Sequence, residues 1–62
     1  MTLSAAPAPS ATVLLVDDEA PIRRSLGPYL ERSGYRVLLA SDGAEALDLL
    51  ASYQVDIIVS DV

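Results

Sequence analysis

Apolar positions fall into five blocks along the chain, separated by short polar stretches. Three blocks are largely apolar runs of strand length, at residues 12–16, 35–40 and 57–59. The first and third runs contain no charged residue, which is typical of strands covered on both faces. Arg36 in the second run makes it less uniformly apolar and favours a place at the edge of a sheet.

Between the first and second runs, residues 20–33 have apolar residues on one side of a predicted helix and charged residues elsewhere. Asp18 or Glu19 can cap the start of this helix, and Gly34 suits a left-handed stop at its end. Pro28 within the block predicts a kink or a split in the helix. The predicted apolar stripe consists of Ile22, Leu26, Tyr29 and Leu30.

Between the second and third runs, the last apolar block predicts a second helix that ends at about Tyr53. Asp42 and Glu45 have the spacing of a capping box at its start, and we interpret both as structural caps. One face of this helix is polar and the other apolar, so it should pack on the sheet by one face. The predicted apolar face consists of Ala46, Leu47, Leu50 and Tyr53.

The succession strand, helix, strand, helix, strand with short connections is typical of right-handed crossovers in a parallel sheet. The predicted fold class is therefore α/β. If the most apolar strand lies in the middle, the strand order is 2-1-3, and the ends of strands one and three flank the crevice where such sheets bind ligands. Asp17 and Asp18 follow strand one, and Asp61 follows strand three.

The composition limits the kinds of metal site that the chain can form. The 62 residues allow one small domain, and with no Cys and no His the available metal ligands are oxygen atoms. Three carboxylates brought together repel, so the site should either keep a proton on one of them or recruit a cation. A divalent cation such as Mg²⁺ is the simpler solution, because it takes carboxylate and phosphate oxygens as ligands.

Charge and hydropathy exclude several classes of function. A net charge of −5 disfavours direct binding of nucleic acid by this segment. No apolar run reaches the ~20 residues of a membrane span, and no secretory signal is recognisable, so we expect a cytoplasmic protein without membrane contact. Residues 1–11 are uncharged and rich in Ala, Pro and Ser, which predicts a disordered tail.

Three spaced motifs, at residues 13–19, 40–47 and 56–61, resemble the receiver domain of bacterial two-component response regulators. The resemblance covers residues 12–62 and implies the N-terminal part of a flavodoxin-like receiver, truncated after the third strand. It also implies that Asp61 is the phosphoacceptor and that Asp17, Asp18 and Asp61 bind Mg²⁺. Asp18 would be the direct ligand and Asp17 would act through water.

The resemblance implies a partner as well: a sensor histidine kinase or phosphotransfer protein would donate the phosphoryl group. The segment would be a signalling receiver rather than an enzyme with turnover of its own. Such a domain would also supply, beyond residue 62, a backbone carbonyl for the metal, a hydroxyl and a Lys for the phosphoryl group. The chain contains no Lys, and any DNA binding is expected of a separate output domain.

One alternative function is rejected and others stay open. Residues 14–19 also resemble the strand-plus-acid motif of P-loop ATPases, but those enzymes need a Gly-rich loop with Lys, and the absence of Lys rejects this alternative. The stronger alternative is a half-domain without phosphotransfer activity, or one that self-associates through an exposed third-strand edge. By themselves, Asp17 and Asp18 could simply cap a helix. Arg23 and Arg24 are interpreted as solvent-exposed charges, with a kinase-docking surface as the less favoured interpretation.

Overall fold

The structure is a computed structural model that describes residues 11–60. It contains three strands and two helices in the predicted succession, which confirms the α/β class. The predicted tail, apart from Ala11, and the predicted phosphoacceptor Asp61 lie outside the described residues. The elements are β1 (Thr12–Val16), α1 (Ala20–Arg32), β2 (Arg36–Ala40), α2 (Gly43–Ser52) and β3 (Ile57–Ser60).

The three strands form one parallel sheet with the order β2-β1-β3, as predicted. In the register of this sheet, Leu14 of β1 lies between Leu38 of β2 and Ile58 of β3. The carbonyl of Ala11 accepts a hydrogen bond of 2.9 Å from the N–H of Arg36, so the pairing of β1 and β2 begins one residue before β1. β1, the strand with the most apolar run, occupies the centre of the sheet.

The two helices cover opposite faces of β1 and β2. Successive side chains of a strand point to opposite faces, so Leu14 and Leu15 belong to different layers. On one face, Gly27 of α1 approaches Leu39, and a Cβ atom at position 27 would lie 3.5 Å from that side chain. On the other face, Leu14 packs with Ala46 of α2. Both faces of β1 are consequently buried, and Leu14 is 0% exposed.

The end of α1 is closed by backbone hydrogen bonds around a left-handed glycine. The N–H of Tyr35 donates to the carbonyl of Leu30 at 3.1 Å, and the N–H of Gly34 donates to the carbonyl of Glu31 at 3.0 Å. This pair of bonds is a Schellman motif, which requires a left-handed residue between the helix and the following chain. Gly34 has φ of 101°, so the predicted stop is confirmed.

Details of both helices differ from the predictions. α1 is continuous from Ala20 to Arg32 with Pro28 inside it, so the expected split is wrong. Pro28 is exposed, and Leu26 and Leu30 on either side of it are partly buried. The predicted partners of these leucines on the apolar stripe, Ile22 and Tyr29, are exposed.

On α2, Leu49 packs against the core beside Ala46, whereas Leu47 is 68% exposed. The spacing of three residues from Ala46 to Leu49 continues one helical face, and Leu47 points away from it. α2 thus packs on the sheet by one face, as predicted, but of the four residues assigned to that face only Ala46 is buried, while Leu47, Leu50 and Tyr53 are exposed.

β3 differs most from its prediction, because its apolar side chains are exposed rather than buried in the described part of the chain. Ile57, Ile58 and Val59 are all exposed, Ile58 the most at 54%. Within residues 11–60, neither helix contacts β3. The strand is instead held by its pairing with β1 and, at its start, by Asp56, whose carboxylate accepts a hydrogen bond of 2.8 Å from the N–H of Thr12.

No helix in the described part of the chain is long and apolar enough to cross a membrane.

Candidate functional site

The three strands end side by side, and this end of the sheet, where Val16, Ala40 and Ser60 are adjacent, is called the C-terminal edge below. Asp17 is the first residue after β1. Its N–H donates a hydrogen bond of 3.1 Å to the carbonyl of Ala40, which extends the pairing of β1 and β2 by one residue. The backbone of Asp17 is therefore fixed at the edge by the sheet itself.

Asp17 is the buried polar residue of the described chain, with 4% of its surface exposed. Its Oδ1 atom accepts a hydrogen bond of 2.9 Å from the N–H of Glu19, which belongs to the first turn leading into α1. Glu19 is the N-cap residue, but its own side chain makes no capping bond. The expectation that Asp18 or Glu19 supplies the capping side chain is corrected in this respect: a side-chain acceptor near the helix start comes from Asp17.

The two neighbouring aspartates differ in their surroundings. Asp18 is exposed, whereas Asp17 is enclosed between the end of β1 and the start of α1. Their carboxylate oxygens are the kind of donor that Mg²⁺ prefers, so the residues present fit such an ion. Within residues 11–60 these two acids are not joined by a third to form a metal-binding cluster. The predicted third ligand, Asp61, follows Ser60, the last residue of β3, which lies opposite Val16.

Arg23 approaches the same edge from α1. Its Nη1 atom donates a hydrogen bond of 2.7 Å to the backbone carbonyl of Asp17, and its side chain is partly buried. The interpretation of Arg23 as a solvent-exposed charge is therefore wrong, while Arg24 is exposed as expected. One feature of the sequence is consistent with this contact: Arg23 lies six residues after Asp17, within the first two turns of the helix that follows β1.

Asp42 and Glu45 have the structural role predicted for them. Oδ1 of Asp42 accepts a hydrogen bond of 2.8 Å from the N–H of Glu45. The carboxylate of Glu45 in turn accepts bonds of 2.6 Å and 2.9 Å from the N–H and the hydroxyl of Ser41. In a standard capping box that carboxylate would pair with the N-cap residue itself, so the motif is displaced by one residue. Both acids serve the start of α2.

Comparison with protein families identifies the family of the chain. A family model described as response regulator receiver domain matches residues 13–62, which is most of the chain. The chain belongs to the response regulator receiver family. Within residues 11–60, the three motifs that suggested this family include the C-terminal residues of β1, β2 and β3, which lie side by side.

Curated relatives point to the same family. The response regulator MprA of Mycobacterium tuberculosis strain H37Rv is 49% identical over 53 residues, which is 86% of this chain and 23% of the relative. The response regulator MprA of Mycolicibacterium vanbaalenii is 52% identical over 50 residues, which is 81% of this chain and 22% of the relative. The chain thus spans less than a quarter of the length of these relatives. No solved structure gives a significant match.

Proposed function

We propose that this receiver segment accepts a phosphoryl group on Asp61 in the presence of Mg²⁺, as part of a two-component phosphorelay. The observation that carries the proposal is the position of Asp17, buried at the end of the central strand and fixed by three hydrogen bonds. Strand β3, which precedes Asp61 in the sequence, ends opposite the residue before Asp17. This register supports a site shared by the ends of both strands.

In this proposal Mg²⁺ is held by Asp17, Asp18 and Asp61. The ion would neutralise negative charge that otherwise repels an incoming phosphoryl group. Asp18, which is exposed, is suited to direct coordination. Asp17 already accepts a bond from Glu19 through Oδ1, so it is better suited to hold the site in shape and to contact the ion through water.

The transfer itself needs a donor with a good leaving group. The proposed donor is a phosphohistidine on a sensor histidine kinase or a phosphotransfer protein. A carboxylate oxygen of Asp61 attacks phosphorus and forms a P–O bond while the P–N bond to the imidazole breaks. The released nitrogen keeps the electron pair of that bond, and because the other ring nitrogen carries a proton, the imidazole leaves as a neutral ring. The product is an aspartyl phosphate, and the receiver is modified rather than turning over a substrate.

The wider setting is proposed on the same basis. Residues 12–62 would be the first portion of a cytoplasmic receiver whose remaining strands supply a hydroxyl and a Lys to the phosphoryl group. Losing such charge-stabilising groups commonly costs orders of magnitude in rate. We therefore expect slow phosphorylation of the 62-residue chain and fast phosphorylation of a longer protein that contains it. DNA binding, where it occurs, would belong to an output domain.

The proposal is tested by intact-mass spectrometry of the chain after incubation with acetyl phosphate. The expected result is one phosphoryl adduct on the wild type with Mg²⁺, and none with EDTA or in the Asp61→Asn variant. Asp56→Asn is the matched control, because it removes a carboxylate from the other end of β3 and should leave the adduct in place.

An adduct of equal yield on Asp61→Asn, or one that forms equally with EDTA, would contradict the proposed site. A folded wild-type chain that gives no adduct under any of these conditions would favour the alternative, a half-domain without phosphotransfer activity. The exposed apolar side chains of β3 are the observation that favours this alternative.

A further inference from the structure

Arg23 of α1 binds the peptide group between Asp17 and Asp18 through the carbonyl oxygen of Asp17. The guanidinium Nη1 donates to the Asp17 carbonyl at 2.7 Å, a short bond from a charged donor. A peptide group is planar, so the direction of this carbonyl also fixes the direction in which the chain enters Asp18. The Asp17 carboxylate is fixed separately through Glu19.

We propose that Arg23 is a positioning residue for the acidic pair: by binding the Asp17 carbonyl, it orients Asp18 for coordination of Mg²⁺. The inference rests on the proposed function, because it concerns the same metal. Asp18 is exposed, and no side-chain hydrogen bond within residues 11–60 fixes its carboxylate. Its orientation therefore depends on its backbone, which Arg23 constrains.

A purely electrostatic role for Arg23 predicts the opposite result. Near a site that binds a divalent cation, a guanidinium opposes the ion by Coulomb repulsion. If charge alone mattered, removing Arg23 would tighten Mg²⁺ binding. If Arg23 positions Asp18, its removal weakens binding, as is commonly seen when a residue that supports a metal ligand is lost. The sign of the change therefore distinguishes the two roles.

The experiment is an Mg²⁺ titration of the full chain followed by the amide NMR shifts of Asp18 and Glu19. The variants are Arg23→Met, which keeps the length of the side chain without a donor, and Arg23→Lys, which keeps one charged donor. Arg24→Met is the matched control, because it makes the same charge change at an exposed neighbour. Far-UV circular dichroism shows whether each variant is folded.

We expect Arg23→Met to raise the Kd for Mg²⁺ roughly 10-fold, Arg23→Lys to have an intermediate effect, and Arg24→Met to leave the Kd unchanged or slightly lower. Wild-type binding with an unchanged or lower Kd in Arg23→Met would overturn the positioning role alone. If Arg23→Met does not fold, an unchanged Kd in Arg23→Lys and in Arg23→Gln would overturn it. A folded wild-type chain without measurable Mg²⁺ binding would overturn the metal site and the positioning role together.

Discussion

Asp17 combines a structural role with the chemical role proposed for it. Its N–H continues the sheet, its carbonyl accepts from Arg23, and its Oδ1 accepts from the N–H of Glu19. The first N–H groups of a helix lack partners within the helix, and a side-chain acceptor beside them is stabilising. The same carboxylate is proposed to belong to the Mg²⁺ site, so we expect a substitution here to affect both folding and metal binding.

The structural part of this role can be separated from charge by comparing Asp17→Asn with Asp17→Ala. Both substitutions remove the negative charge, but only Asn keeps an oxygen that can accept from Glu19. We expect the alanine variant to be less stable than the asparagine variant by about 1 kcal/mol in its free energy of unfolding. Urea unfolding followed by far-UV circular dichroism measures the difference. Equal stability of the two variants would show that the bond to Glu19 contributes nothing.

At the scale of elements, the end of α1 and the start of α2 are set by local chemistry that is readable in the sequence, whereas the acceptor at the start of α1, Asp17, was not predicted. Gly34 at the end of α1 and Asp42 at the start of α2 were assigned from residue type and spacing, and both assignments are confirmed. The contact of Arg23 with Asp17 was missed, since it depends on how α1 lies across β1. Spacing gives the face of a helix, but the partner of that face depends on the packing angle.

Gly34, in a left-handed conformation, and Gly43, at the start of α2, should respond in opposite ways to substitution by alanine. Gly34 has φ of 101° and open space where a side chain would start, so Gly34→Ala should cost about 1 kcal/mol of stability through backbone strain alone. Gly43, in the first turn of α2, also has open space around it, and Gly43→Ala should stabilise the chain by about 0.5 kcal/mol. Thermal unfolding of both variants beside the wild type provides the comparison. A Gly34→Ala chain as stable as Gly43→Ala would exclude this account of the stop.

At the scale of the whole molecule, residues 11–60 form a narrow core centred on β1, and within them no strand pairs with the outer edge of β3. The side chains of Val13, Leu14 and Leu15 are almost fully buried, while those of β3 are exposed. Sheet edges with apolar side chains and free backbone groups tend to pair with another chain. Self-association through β3 is therefore expected, as the sequence suggested, and its test is the oligomeric state.

Sedimentation velocity over a range of concentrations should show association of the wild type and a monomer for Ile58→Lys. Ile58 is 54% exposed on β3, and a lysine on an edge strand opposes pairing with another strand. Leu47→Lys introduces the same charge at a 68% exposed position on α2 and should associate like the wild type. A wild-type chain that stays monomeric at every concentration would contradict the expectation.

The order of the strands was easier to predict from the sequence than the burial of individual side chains. Apolar runs and their order were sufficient for the parallel sheet and for β1 at its centre, because the most apolar strand needs cover on both faces. The same reasoning expected cover on β3, where none is found within residues 11–60. An apolar run shows what a strand can bury, whereas the elements that bury it depend on the rest of the fold.

The most direct test of the central claim is to identify which aspartate carries the phosphoryl group. After incubation with acetyl phosphate and Mg²⁺, borohydride reduction converts an aspartyl phosphate to homoserine, and cleavage after arginine releases a C-terminal peptide that begins at Val37. The proposal predicts homoserine at position 61 by tandem mass spectrometry, with Asp42, Asp48 and Asp56 unchanged. Homoserine at another position, with residue 61 still aspartate, would contradict it.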